Sequence, residues 1–93
     1  MAAIDIRRKH GKSLKDAKAA VERVAKAVAK EYGFSHAWEG NTLEFSRTGA
    51  KGSITVAKSE VHIRAELGFL MSALKPVIEG EIRRKLDKEF GVA

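Results

Sequence analysis

Three histidines, His10, His36 and His62, are the side chains of this sequence best suited to hold a metal, because neutral imidazole is the commonest protein ligand for zinc and similar ions. Alternation along the flanking segments keeps two of them apart. His36 shares a face with Phe34 and Trp38, whereas His62 shares a face with Arg64 and points the other way. They therefore do not supply the three or four converging ligands a site needs, and His36 reads as a polar tip at the end of the core. Cysteine is absent, which excludes disulfides, thiolate metal sites and a cysteine nucleophile. The run GAKGS, Gly49 to Ser53, has the wrong residue order for a phosphate loop and leads into a strand, so it reads as a hairpin loop. Glu79 and Glu81 stand two apart on a helix and project in different directions. The expectation is a protein without catalytic residues or a cofactor, not an enzyme.

Two other groups of residues could meet a partner. Arg7, Arg8, Lys9 and Lys12 form a basic patch within RRKHGK, which could bind phosphates of nucleic acid or a lipid headgroup. With no aromatic platform beside it to stack bases, the run reads better as a solvated strand end whose cations discourage edge pairing. The second group is ELGFLMSALKP, Glu66 to Pro76, where a strand-like run meets a helix-like run. Leu70, Met71 and Leu74 fall on one helical stripe and are expected in the core. Phe69 falls nearly opposite, with Ala73 and Gly80, and is the candidate contact for another subunit or a greasy surface.

The elements that must carry these residues are legible from their periods. The chain has 93 residues, 44% hydrophobic and 32% charged, with a net charge of +6; it is short enough for one domain with a single thin core. No run is long and apolar enough to span a membrane. The opening MAAIDIRRKH turns charged too early for a secretory signal, so a cytoplasmic location is expected. Ile4 and Ile6 alternate with Asp5 and Arg7, the mark of a half-buried strand. Ser13 is placed to cap a helix running to about Tyr32, with Leu14, Ala17, Val21, Val24, Ala25, Val28 and Tyr32 on one stripe and Lys15, Lys18, Glu22, Lys26 and Lys30 opposite.

The middle of the chain reads as an antiparallel meander of about four strands. Its inward set is Phe34, His36, Trp38, Leu43, Phe45, Arg47, Ile54, Val56, Val61, Ile63, Ala65 and Leu67. A second helix is expected from near Ser72, with Pro76 in its first turns, to about Phe90. About five strands at ~4.8 Å spacing give a sheet roughly 24 Å wide, which two helices of ~10 Å diameter cover. The fold class is α+β in the order β-α-β-β-β-β-α, with both helices on one face. The strand that the first one joins is left open.

Taken together, HGKSLKDA, YGFSHAWEGNTLEFSRTGAKGSI and LGFLMSALKPVIEGEIRRKLDKEF resemble the polyhydroxyalkanoic acid system protein family of small bacterial proteins. The likeness rests on the ordered series Trp38-Glu39-Gly40, Arg47-Thr48-Gly49, Leu67-Gly68-Phe69-Leu70 and Leu86-Asp87 and covers almost the whole chain. The family takes its name from gene neighbourhood, and the resemblance implies a non-enzymatic role at the polyhydroxyalkanoate granule, with the granule surface, granule proteins or a second copy as partners. It supplies no catalytic residues. One alternative is an apolar-ligand carrier, since a sheet curled around a long carboxy-terminal helix also resembles helix-grip folds. Another, favoured only by net charge, is a nucleic-acid binder.

Overall fold

The computed structural model, described over residues 2–91, has a single five-stranded antiparallel sheet and two long helices. The elements are β1 (Ala2–Lys9), α1 (Leu14–Tyr32), β2 (Ser35–Glu39), β3 (Thr42–Arg47), β4 (Ala50–Val56), β5 (Glu60–Leu67), a 3-10 turn (Ser72–Leu74) and α2 (Lys75–Phe90). The expected element order and fold class hold. Across the sheet the order is β1-β5-β4-β3-β2. The strand that the sequence left without a neighbour thus pairs with β5, Ile4 opposite Ala65 and Ile6 opposite Ile63.

Local chemistry sets the helix ends. Ser13 accepts a hydrogen bond from the Asp16 N–H and begins α1, and Gly33 ends it in the left-handed conformation at φ 74°, a geometry that a residue without a Cβ adopts at no steric cost. Arg47, expected among the inward set, is exposed instead. Its guanidinium donates to the Tyr32 carbonyl at 2.6 Å, so a cation caps the last turn of α1 where unpaired carbonyls concentrate negative charge. Leu14, at the first turn, is also more exposed than its stripe implied.

One core lies between the helices and one face of the sheet. Ile4, Ile6, Leu43, Ile54, Val56, Val61, Ile63, Ala65 and Leu67 of the strands meet Ala17, Val21, Val24 and Val28 of α1 and Ile78, Ile82 and Leu86 of α2. Phe45 packs edge-on against Phe34, with ring centroids 5.4 Å apart. Burying a branched aliphatic side chain contributes about 1.5–3 kcal/mol, so these few positions carry most of the stability of so small a domain.

The second helix differs from expectation at its start. Residues 68–71 form a turn and 72–74 a 3-10 turn, and α-helical geometry begins only at Lys75, with Pro76 in the first turn. The 100° phase therefore does not reach back to Leu70. Of the three residues expected to close the core here, only Met71 does so; Leu70 is 87% exposed and Leu74 38%. Val77, in the first turn of α2, is 53% exposed.

Truncating Ile63, at 1% exposure, to Ala should destabilise by about 2–4 kcal/mol through lost burial and the cavity left behind. Leu70→Ala should stay within about 0.5 kcal/mol of the parent. Denaturant melts of the two variants check the assignment, and equal losses would contradict it.

Candidate functional site

Four of the large apolar side chains most exposed among the described residues stand within nine positions: Phe69 (85%), Leu70, Leu74 and Val77. Their exposure follows from how the chain leaves β5. The Gly68 N–H donates to the Gly49 carbonyl at 2.7 Å, and the Gly68 carbonyl accepts from the N–H groups of Met71 and Ser72. A Cβ on Gly68 would lie 3.0 Å from that Gly49 oxygen, tighter than an ordinary contact, so the approach suits a residue without a side chain. The turn sends Met71 down against Gly49 and leaves Phe69 and Leu70 facing water. Ser72 Oγ donates to the Phe69 carbonyl at 2.8 Å and tightens the knuckle.

The helices then diverge in length. Arg23 pairs with Glu89 at 2.7 Å and Glu31 with Lys85 at 3.9 Å, so α1 and α2 run antiparallel and α1 ends at Tyr32. The first turns of α2 lie beyond that pairing. Leu74, in the 3-10 turn, and Val77, in the first α-helical turn, therefore face solvent instead of a helix and extend the apolar surface begun by Phe69 and Leu70. Ala73 and Gly80 are exposed as well, but Phe69 precedes the helical segment, so no common helical phase joins it to them. Lys75, Pro76, Glu79, Gly80 and Arg83 line an open depression of about 400 Å3 alongside.

The basic run does not form one patch. Arg7 lies on the outer face of the sheet and bonds Glu60 at 2.9 Å, whereas Arg8 lies on the helix-covered side, bonding Asp87 and the Gly91 carbonyl. Lys9 and Lys12 are exposed at the strand end and in the loop after it. The histidines are likewise separated into different environments. His10 bonds the Ala57 carbonyl at 2.9 Å and lies against Phe90. His62 donates to Asp5 at 2.7 Å on the outer face.

His36 has a partner that the sequence did not suggest: its Nε2 lies 3.8 Å from Glu22, whose other carboxylate oxygen accepts from Trp38 Nε1 at 2.7 Å. Lys18 sits 4.9 Å above the Trp38 ring, a cation–π contact. Lys18 and Glu22, assigned to the wet side of α1, instead flank β2. The signal available was their i, i+4 spacing, which marks one edge of the helix without saying which strand passes it.

The interior offers little room. Between Val24, Val28, Phe34, Phe45, Ile63 and Ile82 the void is about 20 Å3, whereas pockets for small ligands are typically 300–1,000 Å3. A broad depression of about 710 Å3 on the outer face of the sheet, around Asp5, Glu44, Ser53 and Arg64, is open to solvent and does not enclose a ligand. No helix of the described residues is long and apolar enough to cross a membrane.

These features define a small basic α+β protein that carries an apolar knuckle at the end of the sheet. The model of the family described as putative polyhydroxyalkanoic acid system protein matches residues 4–90, and the chain belongs to that family, whose designation refers to the polyhydroxyalkanoate granule region. No curated protein and no solved structure matches the chain.

Two carboxylates have identifiable electrostatic partners. The hydrogen bond from His62, with the nearby Arg64 and Arg7 charges, holds Asp5 below its ordinary value of 3.8, and the Arg23 hydrogen bond holds Glu89 below 4.5. A depressed carboxylate pKa contributes stability that is present above the unfolded value and is lost as pH falls through the folded one. Carboxyl-carbon NMR titration should therefore find both midpoints below those ordinary values, with Asp5 moving up towards 3.8 in His62→Ala. An unchanged Asp5 midpoint in that variant would contradict the assignment.

Proposed function

We propose that this chain is a non-enzymatic protein of the bacterial cytoplasm that docks on the polyhydroxyalkanoate granule through Phe69 and Leu70, flanked by Leu74 and Val77. The observation that carries this reading is the concentration of exposed apolar side chains at one turn, in a member of a family named for the granule region. A storage polyester presents an apolar phase of low water activity. Transfer of a Phe or Leu side chain into such a phase gains about 1.5–3 kcal/mol each, enough for two residues to decide between bound and free when many copies share one surface.

The geometry suits shallow insertion. Phe69 and Leu70 stand clear of the core that Met71 completes, so they can enter a soft surface without unfolding anything. The chain carries a net charge of +6, and a granule coat that includes anionic groups would add attraction at longer range. The carrier alternative meets the 20 Å3 interior void, far below the volume of an acyl chain. The nucleic-acid alternative meets a basic run whose two arginines are already paired on opposite faces of β1.

Co-sedimentation with amorphous polyhydroxybutyrate particles tests the reading. Phe69→Ser and Leu70→Ser should each weaken binding about tenfold or more, while the denaturant midpoint stays near the parent's, as expected for exposed positions. Binding that survives the double variant, or a parent that does not bind, would overturn the proposal.

A further inference from the structure

The outer edge of β1 is an open hydrogen-bonding template. The His10 N–H donates to the Ser59 carbonyl and the Ala57 N–H to the Glu60 carbonyl. Given the registers of β1 with β5 and of β4 with β5, these bonds place the even-numbered residues of β1 in the hydrogen-bonded positions of its ladder with β5, since such positions alternate along an antiparallel pair. The N–H and C=O groups of Ala3, Asp5, Arg7 and Lys9 therefore point away from the sheet. This edge is eight residues long and pairs residue by residue with β5 throughout. It has neither proline nor glycine, the residues that commonly blunt an edge. The opposite edge, β2, is five residues long, and Glu22 and Lys18 of α1 reach over its Trp38.

We propose that β1 pairs antiparallel with β1 of a second copy of this chain, giving a two-fold dimer with a continuous ten-stranded sheet. Charge selects the register. Residues directly opposite in an antiparallel pair share a face, so the two-fold axis must pass midway between one residue of β1 and that same residue of the partner. An axis at Asp5 would set two carboxylates against each other, and one at Arg7 would do the same with two guanidinium groups; like charges directly opposite are destabilising. An axis at Ile6 sets Asp5 opposite the partner's Arg7 and Arg7 opposite the partner's Asp5. It also sets Ala3 opposite the partner's Lys9, and Ile6 against the partner's Ile6 beside the core.

The cations that would guard this edge against random pairing thus find carboxylates or alanine across it in one register. Along the outer face Arg64, Asp5 and the partner's Arg7 then alternate in sign. Both copies of α2 lie on the same side of the joined sheet and run in opposite directions, so the dimer carries two apolar knuckles towards its two ends. This inference stands apart from the granule reading: the dimer forms or fails in solution without polymer.

Sedimentation equilibrium of the full chain should give twice the chain mass. Arg7→Pro should give the monomer mass, because the N–H it removes is one that β5 does not use, and Asp5→Lys should weaken dimerisation at least tenfold. With no cysteine in the parent, Ala3→Cys/Lys9→Cys reads the register directly. Within one strand these positions lie ~20 Å apart, beyond disulfide reach, but across the interface they are opposed at ~5.5 Å. That variant should form a covalent dimer on mild oxidation, and Ala3→Cys/Arg7→Cys should form little. If the proline variant fails to fold, the cysteine pair decides. A parent that stays monomeric at ~1 mM, an Asp5→Lys variant that dimerises as well as the parent, or equal cross-linking of the two cysteine pairs would overturn the proposal.

Discussion

The backbone clasp between Gly49 and Gly68 fixes how β5 hands the chain to α2, and the exposed face of the molecule depends on it. Gly68 donates to Gly49 across the β4–β5 end of the sheet while its own carbonyl holds the next turn. Met71 is thereby set over Gly49 as the last piece of the core. A turn this tight can bury only one of its three consecutive large apolar residues. Phe69 and Leu70 are left outside by geometry and not by composition. The same turn delays the start of α2 to Lys75, beyond the end of α1, so Leu74 and Val77 also lack a helical neighbour. One hydrogen-bonded contact between two glycines thus accounts for both the closed core and the apolar end.

This organisation divides the molecule into a stiff body and a surface tip. The body is a meander with short hairpins, in which each strand meets its sequence neighbour, and β1 closes the far side against β5. Ion pairs such as Arg23–Glu89 and Arg8–Asp87 tie α2 to α1 and to β1. These pairs are at least partly solvated, so they orient the helices more than they stabilise them. The stability resides in the aliphatic layer beneath them. The tip contributes little to that layer, which leaves its residues free to change partners without cost to the fold.

Much of this was legible in the sequence because two periods dominate it. Alternation in β1, β4 and β5 and the 3.6-residue stripe of α1 each place one face in the core, and the buried residues follow them closely, from Ile4 and Ile6 to Val21, Val24 and Val28. Period carries no information about which distant strand becomes a neighbour, so the pairing of β1 with β5 was not readable. It also misleads where the backbone is not yet periodic: extending helical phase back through Gly68–Ser72 put Leu70 and Leu74 in the core, which the turn prevents. Arg47 was misplaced for a related reason, because a strand-end residue can leave the pleat to reach a helix carbonyl. The Glu22–Trp38–His36 cluster depends on a contact between α1 and β2 that only the folded chain creates.

The central claim is that the turn after β5 is the surface through which this protein meets its apolar partner. Hydrogen–deuterium exchange of the full chain, compared free and bound to polyhydroxybutyrate particles, tests it most directly, since protection maps the contact without altering any residue. The account predicts added protection confined to the segment 68–80, with β2, β3 and the outer face of the sheet exchanging as in the free protein. Protection that spares 68–80, or that appears instead across the sheet, would contradict it.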